Sequence, residues 1–363
     1  MERICLIGNN AFGGPVFDGQ RIKVRTYKKC LEGEGFNVTF IELDKPAKRF
    51  FRILSEIKKG IKGCDVVVLI TSDNGERVLI PYINKINKKY KKRFVFSQIG
   101  TSFLYKYIKP MSEERKNAFF YNQDFTGLKP NKKTIRELKK IDAILAETDL
   151  INNAFAKFFG LENCYCLTNF RDVIVDKDRK IADSYNKLIY LSRVMQRKGI
   201  FDLINVINKK PFANVSLDIY GSLYMEPDEE KFFYSLLDSR IKYCGELNPD
   251  KTIQTIQKYD LLCFPTKCEG EGTPGCIVES LIAGTPVLSS DFTQSSELLK
   301  DGVDSLLYRF GDTNDLEQKL LFFVSGKCDV KTLKNNAFDS GKRFTYEYNR
   351  NNFLRLILGK EVL

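Results

Sequence analysis

Short apolar stretches that alternate with helical stretches constrain the fold of this chain more than any other feature of its sequence. Each apolar stretch is followed by an amphipathic one, which is typical of parallel sheets covered by helices. The strands predicted in the first half are 3–7, 37–41, 66–71, 94–98, 143–147 and 164–167. Those predicted in the second half are 188–192, 216–220, 242–243, 261–265 and 286–290. The pattern predicts an α/β fold with two doubly wound parallel sheets.

The rhythm of strands and helices breaks after Thr168, where residues 169–186 are polar and lack periodicity. A chain of 363 residues also exceeds the usual size of a single core. We therefore expect an N-terminal domain over 1–168, a C-terminal domain over 169–344, and a last helical segment, 345–363, that returns to the first domain. Two such sheets facing across a cleft bind ligands beyond the carboxyl ends of their strands, so function is expected in the loops there.

The chain contains no histidine, and its ten cysteines include no C-x-x-C pair. These absences exclude Ser-His-Asp and Cys-His catalysis, histidine-based metalloproteases and zinc sites with cysteine ligands. Acid–base chemistry would therefore fall to carboxylates, lysines or the substrate itself. We expect reduced thiols, no metal and no cofactor.

The basic charge of the chain lies in its first half. The net charge is +12, and residues 1–168 hold 31 Lys and Arg against 18 Asp and Glu, whereas the remainder holds 27 against 28. This asymmetry favours an anionic partner for the N-terminal domain. Because no nucleic-acid-binding motif accompanies the charge, we expect no nucleic acid. Peripheral contact with an anionic membrane is our hypothesis, based on the lysine cluster 85–93 and the amphipathic stretch 47–62, whose alternative role is to cover its own sheet.

The chain begins directly with the predicted strand 3–7, without the hydrophobic stretch of a signal peptide, and it has no stretch long enough to cross a bilayer. We therefore expect a cytoplasmic protein, with any membrane contact on the inner face of the membrane.

The most informative run is 265–287, which predicts a strand end, a glycine-rich loop, a helix, a turn and a strand. Thr273 is suited to the N-cap, Pro274 to the first helical position, and Gly284 to the left-handed residue after the helix. These signals predict a helix of about ten residues. Glycines in the loop let the backbone approach a ligand, and the start of the helix favours a phosphate or a sugar hydroxyl.

This run closely resembles the signature of retaining glycosyltransferases of family 4, in which two glutamates are separated by seven residues and followed by a G-x-P-V turn. Glu271 and Glu279 match the pair, and 284–287 match the turn. The resemblance implies that Glu271 contacts hydroxyls of the donor sugar and that Glu279 holds the ribose of the nucleotide. It also implies the two-lobed GT-B fold, with two Rossmann-like domains.

A second matching block follows the predicted strand 188–192, where Arg193 and Lys198 have the spacing that the family uses to hold the donor diphosphate. Two cations can absorb the charge of the leaving diphosphate without a metal. The resemblance places Arg193, Lys198 and Glu271 as the catalytic residues. The donor-binding residues that it implies are these three together with Gly13, Gly14, Gly272, Thr273, Pro274, Gly275, Cys276, Ile277 and Glu279.

Two features depart from these patterns. Many family members have a histidine after the fourth N-terminal strand, whereas this chain has 97–102 there, with Gln98 or Thr101 as the candidate hydrogen-bond donor. Asp176 and Asp178 have the D-x-D form of a manganese site, but they lie in the charged interdomain stretch without a preceding apolar strand. We interpret this pair as part of a solvated linker.

The resemblance implies transfer, with retention, of a hexose-type sugar from a nucleotide diphosphate donor to a glycan or to a polyprenyl or other lipid-linked acceptor, in the synthesis of a surface polysaccharide or glycolipid. Two alternatives stay open on the same scaffold, a nucleotide-sugar epimerase and a noncatalytic two-lobed sugar-binding protein. An epimerase would act on the nucleotide sugar without an acceptor, and a binding protein would show no turnover.

Overall fold

The computed structural model describes residues 2–9, 19–43, 50–174, 184–268 and 270–361. They form two compact units. The first contains the described residues up to Asp172 together with those from Tyr346 onward, and the second runs from Val173 to Thr345.

The first unit is a parallel sheet of six strands with helices between them. Its elements are β1 (Arg3–Gly8), α1 (Gly19–Gly33), β2 (Asn37–Glu42), α2 (Phe50–Gly63), β3 (Val66–Ile70), α3 (Asp73–Tyr90), β4 (Arg93–Ser97), α4 (Tyr105–Ile108), α5 (Glu113–Tyr121), α6 (Lys132–Leu138), β5 (Ala143–Ala146), α7 (Asp149–Phe159) and β6 (Cys164–Cys166). The strand order is β2-β1-β3-β4-β5-β6. Strands β3 and β5 are buried on both faces, as strands covered by helices on each side must be.

Helix α2 covers the sheet of its own unit. Ile53, Ile57 and Ile61 recur at helical spacing, and all three are buried in the core beside β1 and β3. The opposite side of the helix exposes Phe51 together with basic residues. The stretch that suggested a membrane helix therefore also has the structural role expected of an ordinary sheet-covering helix.

The second unit repeats this architecture. Its elements are β7 (Lys187–Leu191), α8 (Ile200–Ile207), β8 (Ser216–Tyr220), α9 (Pro227–Ser235), β9 (Ile241–Gly245), α10 (Thr252–Ile256), β10 (Leu261–Phe264), α11 (Gly275–Ala283), β11 (Val287–Ser290), α12 (Ser295–Leu298), β12 (Ser305–Tyr308), α13 (Thr313–Val324) and α14 (Val330–Gly341). The strands are again parallel, in the order β12-β11-β10-β7-β8-β9.

In the second sheet the first strand, β7, lies at the centre, and the chain winds outward from it in both directions. The order reverses between β7 and β10, which are hydrogen-bonded neighbours from Leu188 and Leu261 onward. A crevice beyond the carboxyl ends of the two strands at such a reversal is the usual ligand site of a doubly wound sheet. The prediction of two doubly wound parallel sheets is confirmed, while β12 is a strand that the sequence pattern did not reveal.

The last helix, α15 (Tyr346–Leu358), belongs to the first unit. Arg93 at the start of β4 donates hydrogen bonds to the carbonyl oxygens of Leu356 and Ile357. Arg350 and the hydroxyl of Tyr346 donate to the carboxylate of Glu34, beyond the end of α1. These contacts hold the end of the chain against the first sheet. Within the described ranges, no helix is long and apolar enough to cross a membrane.

Candidate donor site in the second unit

Two glycines let the loops after β7, β8 and β10 approach one another closely. Gly199 has φ 73°, and a Cβ there would lie 1.8 Å from the carbonyl oxygen of Pro265, the residue after β10. Gly221 has φ 137°, and a Cβ there would lie 1.8 Å from the carbonyl oxygen of Ser192, the residue after β7. Only glycine tolerates both the dihedral angle and the space at these positions. The loops at the reversal of strand order are therefore packed backbone against backbone.

Further hydrogen bonds join the loop after β7 to the loop after β10. The amide of Lys267 donates to the carbonyl oxygen of Arg197 over 2.8 Å, and the Cys268 thiol donates to the same oxygen over 3.5 Å. Lys267 also forms an ion pair with Asp202 near the start of α8. The two segments that the sequence singled out separately thus form one structure.

Lys198 lies in a 3₁₀ turn, Gln196–Lys198, and its side chain points into this junction. It is buried, it forms an ion pair with the carboxylate of Glu271, and its ammonium lies 5.3 Å from the centre of the Phe264 ring. Burial acts to lower the pKa of Lys198, but the attraction of Glu271 outweighs it and raises the pKa above its ordinary value. The ammonium is therefore held in its charged form.

Glu271 is fixed by a second donor as well. The hydroxyl of Thr266, which is fully buried, donates to the Oε1 atom of Glu271 over 2.8 Å and accepts a hydrogen bond from the amide of Cys268. The cation, the carboxylate and the hydroxyl thus form one buried polar cluster beyond the ends of β7 and β10. We call Lys198, Glu271 and Thr266 the donor-site cluster.

Helix α11 starts one residue later than the sequence predicted. Thr273 was expected as the N-cap and Pro274 as the first helical residue, but the helix begins at Gly275 and Pro274 is the N-cap, with an extended ψ of 127° and no side-chain cap. Proline fixes φ only, so it suits the last extended residue before a helix as well as the first helical one. The predicted end is confirmed, because Gly284 has the left-handed conformation with φ 69°.

The start of α11 presents backbone amides beside the donor-site cluster. The first amides of a helix have no acceptor within it, so those of Gly275 and Cys276 are suited to an anion. The amide of Ile277, however, donates to Pro274 over 3.1 Å. Burial raises the pKa of the Cys276 thiol to about 12, so this side chain adds no negative charge at neutral pH. Glu279 lies one turn further on and is buried.

The remaining predicted site residues have different surroundings. Arg193 is exposed, and its carbonyl oxygen accepts a hydrogen bond from the hydroxyl of Tyr190 over 2.9 Å. Gly272 and Thr273 are buried in the loop before α11. Gly13, Gly14 and the pair Asp176 and Asp178 lie outside the described residues. Sequence reasoning missed Phe264, Thr266 and Gly199, although the position of Thr266 just after a predicted strand was a usable signal.

Gln98 and Thr101 lie in the first unit, after β4. Both are buried, and neither polar atom of the Gln98 side chain has a hydrogen-bond partner among the described residues. The carbonyl oxygen of Gln98 accepts a hydrogen bond over 3.0 Å from Lys23, whose ammonium also pairs with Glu147 over 3.1 Å. Among the residues that the structure describes, no three His, Cys, Asp or Glu side chains come together as a metal site would require.

Comparison with known proteins finds glycosyltransferases that are similar to this chain. Residues 174–340 match the family model described as glycosyl transferases group 1, a segment that covers almost all of the second unit. The chain is 28% identical over 163 residues to an uncharacterized glycosyltransferase of Methanocaldococcus jannaschii, which covers 45% of each chain. It is 27% identical over 156 residues to the amylovoran biosynthesis glycosyltransferase AmsK of Erwinia amylovora, covering 40% of this chain and 37% of AmsK. The matches thus span less than half the length of these relatives.

The fold is similar to a solved structure over nearly the whole chain. The structure of HepE of Anabaena, in complex with UDP and glucose, has a TM-score of 0.70 and 15% sequence identity, and the match covers 98% of this chain and 99% of HepE. At this level of identity the likeness concerns the fold, and it confirms the predicted fold class.

Proposed function

We propose that this protein is a glycosyltransferase that takes its sugar from a nucleotide diphosphate donor bound by the second unit. The observation that carries the proposal is the donor-site cluster, which places a buried cation and a buried carboxylate at the strand-order reversal, beside the start of α11. The match of residues 174–340 to glycosyl transferases group 1 supports the same reaction. The cation and the helix start can bind a diphosphate, and the carboxylate can accept hydrogen bonds from the hydroxyls of a sugar.

Each residue of the site has a role in this proposal. Lys198 and the exposed Arg193 bind the diphosphate and stabilise its growing negative charge as the glycosidic bond breaks, aided by the first amides of α11. Glu271 accepts hydrogen bonds from hydroxyls of the sugar, and Glu279 accepts them from the ribose. The glycines at 270, 272 and 275 keep the loop backbone close to the donor. Gly13 and Gly14 complete the proposed donor-binding set.

We further propose that the sugar is a hexose and is transferred with retention of configuration, as in family 4. The leaving diphosphate would accept the proton of the attacking hydroxyl on the same face of the sugar, so that neither a carboxylate nucleophile nor a metal is needed. The acceptor would be a glycan or a lipid-linked glycan of a surface polysaccharide or glycolipid. This part rests on the family resemblance and on AmsK, whose name assigns it to amylovoran biosynthesis.

We propose that the first unit contacts the cytoplasmic face of an anionic membrane. Its α2 exposes Phe51 next to basic side chains, and Lys85, Lys88 and Lys89 are exposed on α3. The hydroxyl of Tyr82 in α3 donates to the carbonyl oxygen of Leu54 in α2 over 2.8 Å, so the two helices are adjacent. An exposed aromatic on one helix and exposed lysines on the adjacent helix suit contact with anionic headgroups.

Sedimentation with vesicles tests the membrane contact. Wild type is expected to bind vesicles with anionic lipid at low salt, and to bind neutral vesicles less. Phe51→Ser together with Lys88→Gln and Lys89→Gln should reduce binding, whereas Lys242→Gln, at an exposed position in the second unit, should not. Equal binding to both vesicle types would contradict the proposal.

Thermal melting in the presence of UDP, GDP, ADP or CDP, with EDTA throughout, tests the donor site. A ligand at about a hundred times its dissociation constant stabilises by about 2.7 kcal/mol, which gives a shift of several degrees. We expect one nucleotide to stand out and Glu279→Ala to abolish its effect. If no nucleotide shifts the melt, even with manganese in place of EDTA, the proposed donor site is wrong.

A further inference from the structure

The ion pair between Lys198 and Glu271 places together two groups that the proposed reaction uses on different parts of the donor. Both side chains are almost entirely buried, with relative exposures of 10% and 12%. Lys198 has Glu271 as its ionic partner and the Phe264 ring beside it, and Glu271 has Lys198 and the Thr266 hydroxyl. In the resting site, each charge is thus neutralised mainly by the other.

A diphosphate that takes Lys198 must compete with Glu271 for it. When the diphosphate binds Lys198, the carboxylate of Glu271 loses or weakens its contact with the ammonium. Among the described side chains, Thr266 is then the hydrogen-bond donor that it keeps. A buried carboxylate without its cation is costly. The full donor compensates for this cost, because hydroxyls of its sugar replace the ammonium as donors to Glu271. A nucleoside diphosphate has no sugar there and cannot compensate.

We infer that the Lys198–Glu271 pair is a resting-state contact that the complete donor exchanges for its own contacts, and that re-forms after transfer to weaken retention of the nucleoside diphosphate product. This inference rests on the proposed donor site. It assigns Glu271 a second task beyond contact with the sugar, namely competition with the product for Lys198. The pair would favour the loaded donor over the spent one.

Binding titrations of the full chain test this exchange. The probe is whichever of UDP, GDP, ADP or CDP shifts the melt most, and it is titrated into wild type and Glu271→Gln by calorimetry. The substitution keeps the shape of the side chain but releases Lys198 from its counter-charge. We expect the nucleoside diphosphate to bind at least tenfold more tightly to Glu271→Gln, which corresponds to about 1.4 kcal/mol. The corresponding nucleotide sugar should gain less or bind more weakly, since it loses an acceptor for its hydroxyls.

Asp202→Asn is the matched control. Asp202 pairs with Lys267 in the same loop junction, and Lys267 is more exposed than Lys198. Like Glu271→Gln, Asp202→Asn removes one negative charge, but the lysine that it releases is already in contact with solvent. A general gain in positive charge would affect both variants, whereas the exchange affects only Glu271→Gln. The corresponding nucleoside, which has no phosphate, should bind equally to wild type and Glu271→Gln.

Glu271→Ala offers a second variant if the glutamine keeps Lys198 hydrogen-bonded or if Glu271→Gln does not fold. Without ligand its melting temperature should be below that of wild type, because Lys198 then lacks its ionic partner. The nucleoside diphosphate should raise the melting temperature of this variant more than that of wild type. If the nucleoside diphosphate binds to wild type and binds both Glu271 variants with the same or lower affinity, the exchange is wrong and the proposed donor site still stands. If no nucleoside diphosphate binds to wild type or to any variant, the donor site itself is wrong, and the exchange with it.

Discussion

Substitution of Gly199 by alanine should disrupt the junction on which the proposed site depends. A Cβ at this position would lie 1.8 Å from the carbonyl oxygen of Pro265 and 2.8 Å from its carbon. An ordinary carbon–oxygen contact is about 3.3 Å, so the two loops must separate by about 1.5 Å. The positive φ of 73° adds strain that glycine does not have.

The loss of stability caused by forcing the loops apart can be separated from the loss caused by the positive φ alone. Gly311 has φ 75° and nothing within 4 Å of an added Cβ, so Gly311→Ala measures the strain of the left-handed conformation. That strain is about 1 kcal/mol, or about 2–4 °C in the melting temperature of a unit this size. Forcing the loops apart in Gly199→Ala should bring the total to about 3 kcal/mol, or about 6–12 °C.

Differential scanning calorimetry of both variants, followed by nucleotide titration, provides the assay. Gly199→Ala should also bind the nucleoside diphosphate at least tenfold more weakly, because Lys198 is the residue immediately before it and moves with the loop. Gly311→Ala should keep wild-type affinity. Equal melting temperatures and equal affinities for the two variants would refute the argument that a close backbone approach organises the site.

Three further predictions concern Asp260, Thr266 and Arg350. Asp260→Ala should lower the stability of the second unit by about 3–5 kcal/mol in urea unfolding, because it removes the carboxylate that pairs with the buried Lys334 and that accepts from the amides of Asn186 and Lys187. A loss under about 1 kcal/mol would contradict this. Thr266→Val should lower kcat more than it changes the affinity for the nucleoside diphosphate, since Thr266 orients Glu271 and not the phosphates. Steady-state kinetics with an unchanged kcat and a weakened affinity for the nucleoside diphosphate would show instead that Thr266 acts on the diphosphate. The hydrogen bond from Arg350 lowers the pKa of Glu34. The bond therefore contributes to the free energy of unfolding at neutral pH, and this contribution is lost as the pH falls through the lowered pKa. The gap in melting temperature between wild type and Arg350→Ala should therefore shrink from pH 7 towards pH 3, and a gap that is constant with pH would show that this linkage is absent.

The sequence revealed the strands because parallel strands buried on both faces are nearly continuous apolar runs. Runs such as 66–70 and 261–264 contain no charged residue and are the length of a buried strand. Strand β12, Ser305–Tyr308, was missed because it begins with a serine and ends with a tyrosine, which leaves an aliphatic run of only two leucines. The start of α11 was placed one residue early because proline fits both sides of that boundary.

The candidate donor site could be predicted as a set of residues but not as an arrangement. Lys198 and Glu271 are 73 positions apart, and only the pairing of β7 with β10 brings them together. Motif spacing assigned each of them to a ligand, and it gave no indication that they neutralise each other. The close approach of Gly199 to Pro265 was equally hidden, because a positive φ and a tertiary contact leave no mark in the sequence other than the glycine itself.

The proposed function requires a nucleoside diphosphate to bind at the loops after β7 and β10 of the second unit. Hydrogen–deuterium exchange with and without the nucleoside diphosphate that raises the melting temperature tests it most directly. We expect slower exchange in peptides that cover 193–199 and 270–284, and a loss of that protection in Lys198→Ala. Protection confined to other segments, or unchanged by Lys198→Ala, would contradict it.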